Sequence, residues 1–342
     1  MAAKRSRPTI YDVARLAGVS TATVSRALND TGRIAPATRA AIDDAVAQLG
    51  YRPNTIARSL VTRSTQTIAM LLPDITNPFY AELVHGVQQL ALEHDYTMLL
   101  CMTDGDPAQE EMYLDVLRAK QVDGALVDGL VLPPDRIARF VAEGFPIVCL
   151  DRDIDSPTVP LVQVDNREGA RIATQHLLAL GHRQIAHVRG PASGIADERV
   201  AGYRDALAAV GVAPDPRLVV AGDFTEEGGF HAVQRLLSSA APFTAVFAAN
   251  DLTAIGVLNA LAQAGRPVPA AVSVVGFDDL RLASFTSPPL TTVHQPAQEI
   301  ARRATELLFE LVRGGAVEEL KHFFEPQLVV RESTAARPGP RA

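Results

Sequence analysis

The chain has no tryptophan, only two cysteines among its 342 residues, and few aromatic side chains, which make up 5% of the sequence. Two cysteines are too few for a disulfide framework or, by themselves, for a structural zinc site. Both lie in short apolar runs typical of buried strands, Cys101 in TMLLCMT and Cys149 in FPIVCLDR. We therefore expect both to be inert core residues.

Long apolar runs are missing as well. No stretch approaches the ~20 apolar residues of a membrane-spanning helix, and the N-terminal MAAKRSRPTIYDVARLAG lacks the apolar core of an export signal. The sequence therefore predicts a cytoplasmic protein without membrane contact. At roughly 100 to 200 residues per domain, its length favours two or three domains.

Charge is distributed unevenly along the chain. Residues 1–63 contain ten Lys or Arg and four Asp or Glu, a balance of +6, whereas the remaining 22 basic and 35 acidic residues give −13. A small basic unit ahead of a large acidic one suggests an N-terminal module that meets a polyanion. Charge alone is also compatible with a solvated basic arm.

The local pattern in the basic segment predicts three short helices, at about 9–17, from about 21, and from 36 to 49. Apolar residues recur at helical spacing in each, and capping residues or glycines stand at their ends. The start and stop signals are Thr9 with Asp12, Gly18, Ser20, Pro36 and Gly50.

Two short helices across a glycine turn, braced by a third, form a helix-turn-helix, whose second helix enters the major groove of DNA. Its outward face would read bases through Thr21, Ala22 and Arg26, since an arginine can donate two parallel bonds to guanine. Phosphate contacts are predicted for Ser20, Thr23, Ser25 and Asn29. The alternative is a three-helix packing unit in which Arg26 is merely solvated.

TIYDVARLAGVSTATVSRALN, followed by GRIAPATRAAIDDAVAQLGYRPNTIARSL, closely resembles the DNA-binding head and hinge of the lactose/galactose repressor family. One departure is Ala35, where the family usually has a serine that caps the third helix. The missing cap would lower stability by about 1 kcal/mol. Further motifs continue the resemblance to about residue 333: NPFY (77–80), VDG (122–124), LDR (150–152), LGHRQIAHVRGP (180–191), ANDLTAIG (249–256), VVGFDD (274–279) and LTTVHQP (290–296).

The linker at 51–63 contains a segment that is too short to be a stable helix in water alone. The resemblance implies a hinge helix that folds on operator DNA, pairs with its twin and inserts a leucine into the minor groove. Leu60 matches that leucine, Ala57 lies one turn before it, and Asn54 stands at the helix start. Alternatively, Leu60 packs on the neighbouring domain. The predicted DNA-contacting residues are Thr9, Ser20, Thr21, Ala22, Thr23, Ser25, Arg26, Asn29, Asn54, Ala57 and Leu60.

From Thr67 onward, apolar runs alternate with amphipathic helices in two successive series, which is typical of parallel sheets covered on both faces. With the resemblance, the predicted fold is an N-terminal all-α helix-turn-helix head followed by a two-lobed α/β core of two doubly wound parallel sheets, like that of periplasmic binding proteins. The predicted divisions are a DNA-binding domain (1–52), a hinge (53–64), an N-subdomain (65–164 and 294–322), a C-subdomain (165–291 and 323–333) and a flexible tail (334–342).

Open parallel sheets bind ligands at the carboxyl ends of their strands. The strand ends here carry acids, amides, arginines and aromatic rings, a mixture suited to a polyol or sugar. The family resemblance places a small effector in the cleft between the lobes. Its predicted contacts are Phe79, Tyr80, Asp128, Asp151, Arg199, Phe224, Asn250 and Asp278.

Several residues at the strand ends have structural alternatives. Asn250 and Asp251 could cap the helix that begins at 251, and Arg152 could be an ion-pair partner. His176, His182 and His187 lack the paired spacing of a metal site, so no metal and no cofactor is predicted.

Two other classes of protein fit the sequence less well. An enzyme is disfavoured because the sequence has no G-x-G-x-x-G after a strand, no complete phosphate-binding loop and no G-x-S-x-G elbow. An exported sugar-binding protein would have no use for residues 1–63. We therefore predict a homodimeric repressor of carbohydrate-metabolism genes that binds a near-palindromic operator and is controlled by a small-molecule effector. The tail has no leucine heptads to add a tetramer-forming helix.

Overall fold

The computed structural model describes residues 8–28, 32–52, 64–119, 122–129, 132–152, 154, 156–239 and 241–337. The chain divides into two units, Met1–Thr65 and Gln66–Ala342. Each is described here by itself.

The described residues of the first unit form three helices: α1 (Ile10–Ala17), α2 (Thr21–Leu28) and α3 (Pro36–Leu49). Gly18 and Gly50 adopt left-handed φ values of 66° and 59° at the ends of α1 and α3, a conformation that glycine adopts without a Cβ clash. The three predicted helices are therefore confirmed. Their shared core consists of Val13, Ala14, Val24, Ala27, Ile42 and Ala45, with Val46 and Leu49 only partly buried.

The helix starts differ in how they are capped. The Asp12 carboxylate accepts hydrogen bonds from both the backbone N and the Oγ1 of Thr9, at 2.9 and 2.7 Å. These bonds lower the pKa of Asp12. The Ser20 Oγ accepts from the Thr23 amide at 3.1 Å. Ala35 makes no side-chain cap to α3, as its residue type dictates.

The second unit is an α/β structure. Its strands are β1 (Thr67–Leu72), β2 (Thr97–Met102), β3 (Gly124–Asp128), β4 (Ile147–Leu150), β5 (Leu161–Val164), β6 (Ile185–Arg189), β7 (Val219–Ala221), β8 (Ala245–Ala248), β9 (Ser273–Asp278), β10 (Thr291–His294), β11 (Lys321–Phe324) and β12 (Gln327–Val329). Its helices are α4 (Pro78–Glu93), α5 (Pro107–Ala119), α6 (Pro134–Ala142), α7 (Asn166–Ala179), α8 (Gly194–Ala209), α9 (Glu226–Ser238), α10 (Asp251–Gln263) and α11 (Ala297–Val312).

The strands form two six-stranded sheets, which define an N-lobe and a C-lobe. The N-lobe sheet has the order β11-β5-β4-β3-β1-β2 and is parallel throughout. The C-lobe sheet has the order β12-β10-β9-β8-β6-β7, and β12 is antiparallel to its neighbour β10. The predicted pair of doubly wound parallel sheets is confirmed.

The chain passes between the lobes three times, between β5 and α7, between β10 and α11, and between β11 and β12. The later passages lie slightly beyond the predicted boundaries, because β10 extends the C-lobe to His294 and β11 keeps 321–324 in the N-lobe. One apolar core cluster includes residues of both sheets, among them Leu126 and Phe277.

The predicted flexible tail is wrong for residues 334–337. The Thr334 Oγ1 lies 2.9 Å from the Nε2 of His176, and the Arg337 amide donates to the Leu180 carbonyl at 2.8 Å. The Ala335 amide donates to the Ser273 Oγ at 3.1 Å. These bonds hold the segment against the C-lobe.

Candidate functional site

The exposed face of α2 contains the residues predicted to read DNA. Ser20, Ala22 and Arg26 are exposed, while Thr21, Thr23 and Ser25 are partly buried. Ala22 and Arg26 are four residues apart and lie on one face, where the Arg26 Nε lies 3.4 Å from the Ala22 carbonyl oxygen. The predicted contacts Asn29, Asn54, Ala57 and Leu60 lie outside the described residues.

In the second unit, three of the predicted effector-binding residues are carboxylates at strand ends. Asp128 is the last residue of β3, Asp151 directly follows β4, and Asp278 is the last residue of β9. All three are at most 6% exposed. Tyr80 lies beside Asp128, because a Cβ at the adjacent Gly129 would be 3.7 Å from the Tyr80 hydroxyl.

The charges of the two lobes act on one another across this site. Burial raises the pKa of Asp151 to about 6 and that of Asp278 to about 7, and Arg199 opposes both rises. Burial, and then the charge of Asp151, raises the pKa of Asp128. The pKa of Tyr80 is raised by burial and then by the same three carboxylates. The site therefore joins N-lobe and C-lobe residues in one electrostatic cluster.

Arg199 is held firmly by the C-lobe. Its Nε donates to the Asn166 Oδ1 at 2.9 Å, and its Nη1 donates to the Ala249 carbonyl at 2.5 Å. The guanidinium carbon lies 3.7 Å from the centre of the Phe277 ring. These contacts fix the direction in which the remaining guanidinium edge points.

Asn250 and Phe224 are joined by a hydrogen bond of 3.0 Å from the Asn250 Nδ2 to the Phe224 carbonyl. The Asn250 Oδ1 accepts from the Thr253 amide at 3.0 Å, so this side chain caps α10 as the structural alternative predicted. Phe224 has a φ of 68°, and its ring covers Gly190, where any Cβ would overlap the ring. The predicted ligand contacts of both residues stay predictions.

Phe79 belongs to the apolar core and is 6% exposed. Its ring packs edge-on against Tyr80, with centroids 5.7 Å apart. This position supports Tyr80 from behind. Direct contact between Phe79 and an effector stays a prediction.

Asp251 does not cap α10. Its carboxylate accepts from the Leu280 amide at 2.8 Å and from the Thr292 Oγ1 at 2.6 Å. It thereby braces the turn after β9, where Asp278 and Asp279 have positive φ values of 113° and 59°. Arg152, for which an ion-pair role was the predicted alternative, donates a hydrogen bond to the Leu132 carbonyl at 2.9 Å.

Two site residues were missed by sequence analysis. The Gln295 Nε2 donates to the Asp278 Oδ1 at 2.7 Å, and Asn166 holds Arg199. Both follow the end of a strand, β10 and β5 respectively, so the strand-end rule could have found them.

The three histidines considered as metal ligands have structural partners. His187 stacks on Phe247 and Tyr203, at centroid distances of 4.7 and 5.3 Å, and burial lowers its pKa to about 4. His182 contacts Thr244 and Ser273 through its two ring nitrogens. Among the residues that the structure describes, no group of three or more His, Cys, Asp or Glu side chains could hold a metal ion.

The described part of the chain also contains no helix that is both long and apolar enough to cross a membrane.

Comparisons with known proteins match both units. Residues 9–54 match the family model of bacterial regulatory proteins of the lacI family, and residues 65–327 match that of periplasmic binding proteins and the sugar-binding domain of the LacI family. The transcriptional repressor PurR of Photobacterium profundum is 37% identical over 327 residues, which cover 95% of this chain and 98% of the relative.

Two solved structures are similar along nearly the whole chain. The Lac repressor dimer bound to operator and the anti-inducer ONPF is 30% identical with a TM-score of 0.89, and the alignment covers 97% of this chain and 100% of that one. A complex of the transcriptional regulator CelR with cellobiose is 37% identical with a TM-score of 0.73, covering 96% and 100%. Such relatives are regulators rather than enzymes. The chain therefore belongs to the LacI family of DNA-binding transcriptional regulators.

Proposed function

We propose that this protein represses genes of carbohydrate metabolism and that a sugar or sugar derivative, bound between the lobes, controls its affinity for a near-palindromic operator. The observation that carries the proposal is the buried cluster of Asp128, Asp151, Arg199 and Asp278, contributed by both lobes. Carboxylates and an arginine can bind several hydroxyl groups, and the Phe224 ring can cover an apolar sugar face. The cellobiose complex of CelR supports a sugar as the effector.

The head supplies the operator contacts in this proposal. Arg26 and Ala22 occupy the exposed face of α2, where they would meet base edges, and Ser20 and Thr23 lie at its N-terminal end, where they would meet phosphates. Leu60 would enter the minor groove. The similarity to the operator-bound Lac repressor supports this arrangement.

A homodimer would present two such heads to the two half-sites of the operator. The N-lobe has exposed apolar side chains on the edge strand β2 and on helices α4 and α5, which are suited to this contact. Its exposed side chains are Leu92, Leu99, Leu100, Met102, Met112 and Val116. Replacing Leu100 by Glu should shift the sedimentation coefficient of the protein toward that of a monomer.

Effector binding would alter the angle between the lobes, and with it the spacing of the paired hinge segments. Shifting the ratio of DNA-competent to DNA-incompetent protein from 99:1 to 1:99 requires the effector to bind one form more favourably by about 5.5 kcal/mol. The proposed divisions are a head at 1–52, a hinge at 53–64 and a core from 65 to 337. The site of action is the cytoplasm, where operator DNA is found.

The experiment is operator selection from a random duplex library with full-length protein, followed by titration of the selected duplex with and without a panel of sugars. We expect a near-palindromic sequence and a sugar-dependent change in its dissociation constant. Selection of no sequence, or a dissociation constant that no sugar changes, would contradict the proposal.

A further inference from the structure

The cluster between the lobes has more carboxyl groups than cationic groups. Three carboxyl groups, Asp128, Asp151 and Asp278, face one guanidinium, that of Arg199, and each of the four residues is at most 6% exposed. The N-lobe side contributes two of these carboxyls and the hydroxyl of Tyr80. This wall therefore offers a ligand mainly carboxyl oxygens, with the Tyr80 hydroxyl beside them.

Among the described residues, Asp128 is buried without a well-formed hydrogen bond. It is 2% exposed, and neither Oδ1 nor Oδ2 is within hydrogen-bonding geometry of a donor in the described structure, although the nearby Gly129 amide favours its charged form. The Asp151 Oδ1 is also unpartnered. Buried polar atoms are nearly always paired in folded proteins, so these three oxygens indicate donors that a ligand supplies.

The cation of this cluster is already largely engaged within the C-lobe. Arg199 donates from Nε and Nη1 to Asn166 and Ala249, and its face lies on Phe277. Gln295 donates its amide to Asp278, and its own Oε1 is a further unpartnered acceptor. A phosphate or carboxylate on the effector would thus be buried beside three carboxyl groups, with one largely engaged guanidinium to offset its charge.

We propose that the effector presents hydroxyl or ammonium donors to Asp128 and Asp151 and carries no phosphate or carboxylate group. This inference rests on the proposed function, since it concerns the same cleft, and it narrows the effector to neutral and amino sugars. Sugar phosphates and sugar acids are disfavoured, because they would bring an anionic group beside the unpaired oxygens of Asp128 and Asp151.

The test is calorimetric titration of full-length protein with two matched sets of sugars. The first set contains glucose, glucosamine, glucose 6-phosphate and glucuronate, and the second contains ribose and ribose 5-phosphate. Cellobiose is titrated separately. We expect a neutral or amino sugar to bind at least about tenfold more tightly than the anionic member of its set. Tightest binding by an anionic sugar would overturn the proposal, as would the absence of binding by every compound.

The variant Asp128→Asn keeps the size of the side chain and removes its charge. It should reduce the affinity for the tightest-binding sugar by about tenfold or more, and Asp151→Asn is the second variant if the first does not fold. Asp115→Asn, at an exposed position on α5 paired with Arg118, is the matched control and should bind like the parent protein. Equal affinities in parent and both site variants would refute the assignment.

Operator binding is measured separately on the same samples. A sugar that binds with the expected charge preference but does not change operator affinity would contradict the proposed function and leave the charge preference standing. An anionic sugar that changes operator affinity would support the proposed function and contradict the charge preference.

Discussion

The Nε of Arg199 donates to the Oδ1 of Asn166 across 2.9 Å, and this bond joins helix α8 to the first residue of α7. Three residues further along α8, Gly202 faces the backbone of α7 so closely that a Cβ would overlap the Arg167 carbonyl oxygen. The absence of a side chain at Gly202 thus allows the two helices to approach. The position of the buried arginine depends on that approach.

Gly202→Ala should therefore separate α7 from α8 and lower the free energy of unfolding by about 1–3 kcal/mol, as overpacking typically does. It should also weaken effector binding by displacing Arg199. Gly194→Ala, in the first turn of the same helix, is the matched control, because nothing lies within 4 Å of its added Cβ. Urea unfolding would measure both, and equal midpoints would contradict the role given to Gly202.

Arg199→Lys and Asp278→Asn should each weaken effector binding by about tenfold to hundredfold, since hydrogen bonds to charged groups contribute about 1.5–3 kcal/mol. Lysine keeps the positive charge of Arg199 but cannot bond Asn166 and Ala249 in the same planar fork. Operator affinity without effector should stay unchanged. Anisotropy titrations of labelled operator would show this, and a normal effector response in both variants would place the site elsewhere.

Arg26→Ala should weaken operator binding and broaden base preference at the position that Arg26 contacts, by about 1–3 kcal/mol of lost discrimination. Arg15→Ala on α1, whose side chain is 79% exposed, is the control for loss of one positive charge from the head. It should leave base preference intact. Binding-site selection compares the two, and an identical preference for Arg26→Ala and the parent would refute base reading by Arg26.

In the absence of effector, the contribution of Asp151 and Asp278 to stability should fall as pH rises from about 4 to about 7. His187, whose pKa burial lowers to about 4, contributes in the opposite direction over part of this interval. The carboxyls of Asp151 and Asp278 have folded-state pKa values raised to about 6 and about 7, above the ~3.9 of an unfolded aspartate. Over that interval the folded state holds protons that the unfolded chain has released. The stability that these protons provide is complete below about pH 4 and lost as pH rises through the folded pKa values.

The measurement is the melting temperature at closely spaced pH values for the parent and Asp278→Asn. The variant should show a shallower decline, because one of the two carboxyls no longer titrates. Identical slopes would show that Asp278 keeps an ordinary pKa.

Local signals in the sequence predicted most of the fold. Capping residues and glycines at Thr9, Gly18 and Gly50 mark the ends of helices in the structure, because their effects act within one turn. The alternation of apolar runs and helices likewise predicted two parallel sheets. The short strands β11 and β12 were not predicted, since they are half-exposed and only four and three residues long.

The candidate site was predictable where a residue's place on its strand decides its role. Asp128, Asp151 and Asp278 were found by that rule, and they do lie together. The partners of a side chain are harder to foresee, because they come from distant parts of the chain. Asn250 bonds to Phe224 and Asn166 bonds to Arg199, 26 and 33 residues away, and no local pattern indicates either bond.

The three passages of the chain between the sheets have a consequence for dissection of the protein. Neither lobe is a continuous stretch of sequence, so no single cut releases one of them as an intact fragment. We expect three neighbouring chain crossings to permit bending of the lobes about the line on which the crossings lie. They should resist sliding and twisting of one lobe against the other. We expect the core to open and close about one axis, and the proposed effector would need to bias only that single movement.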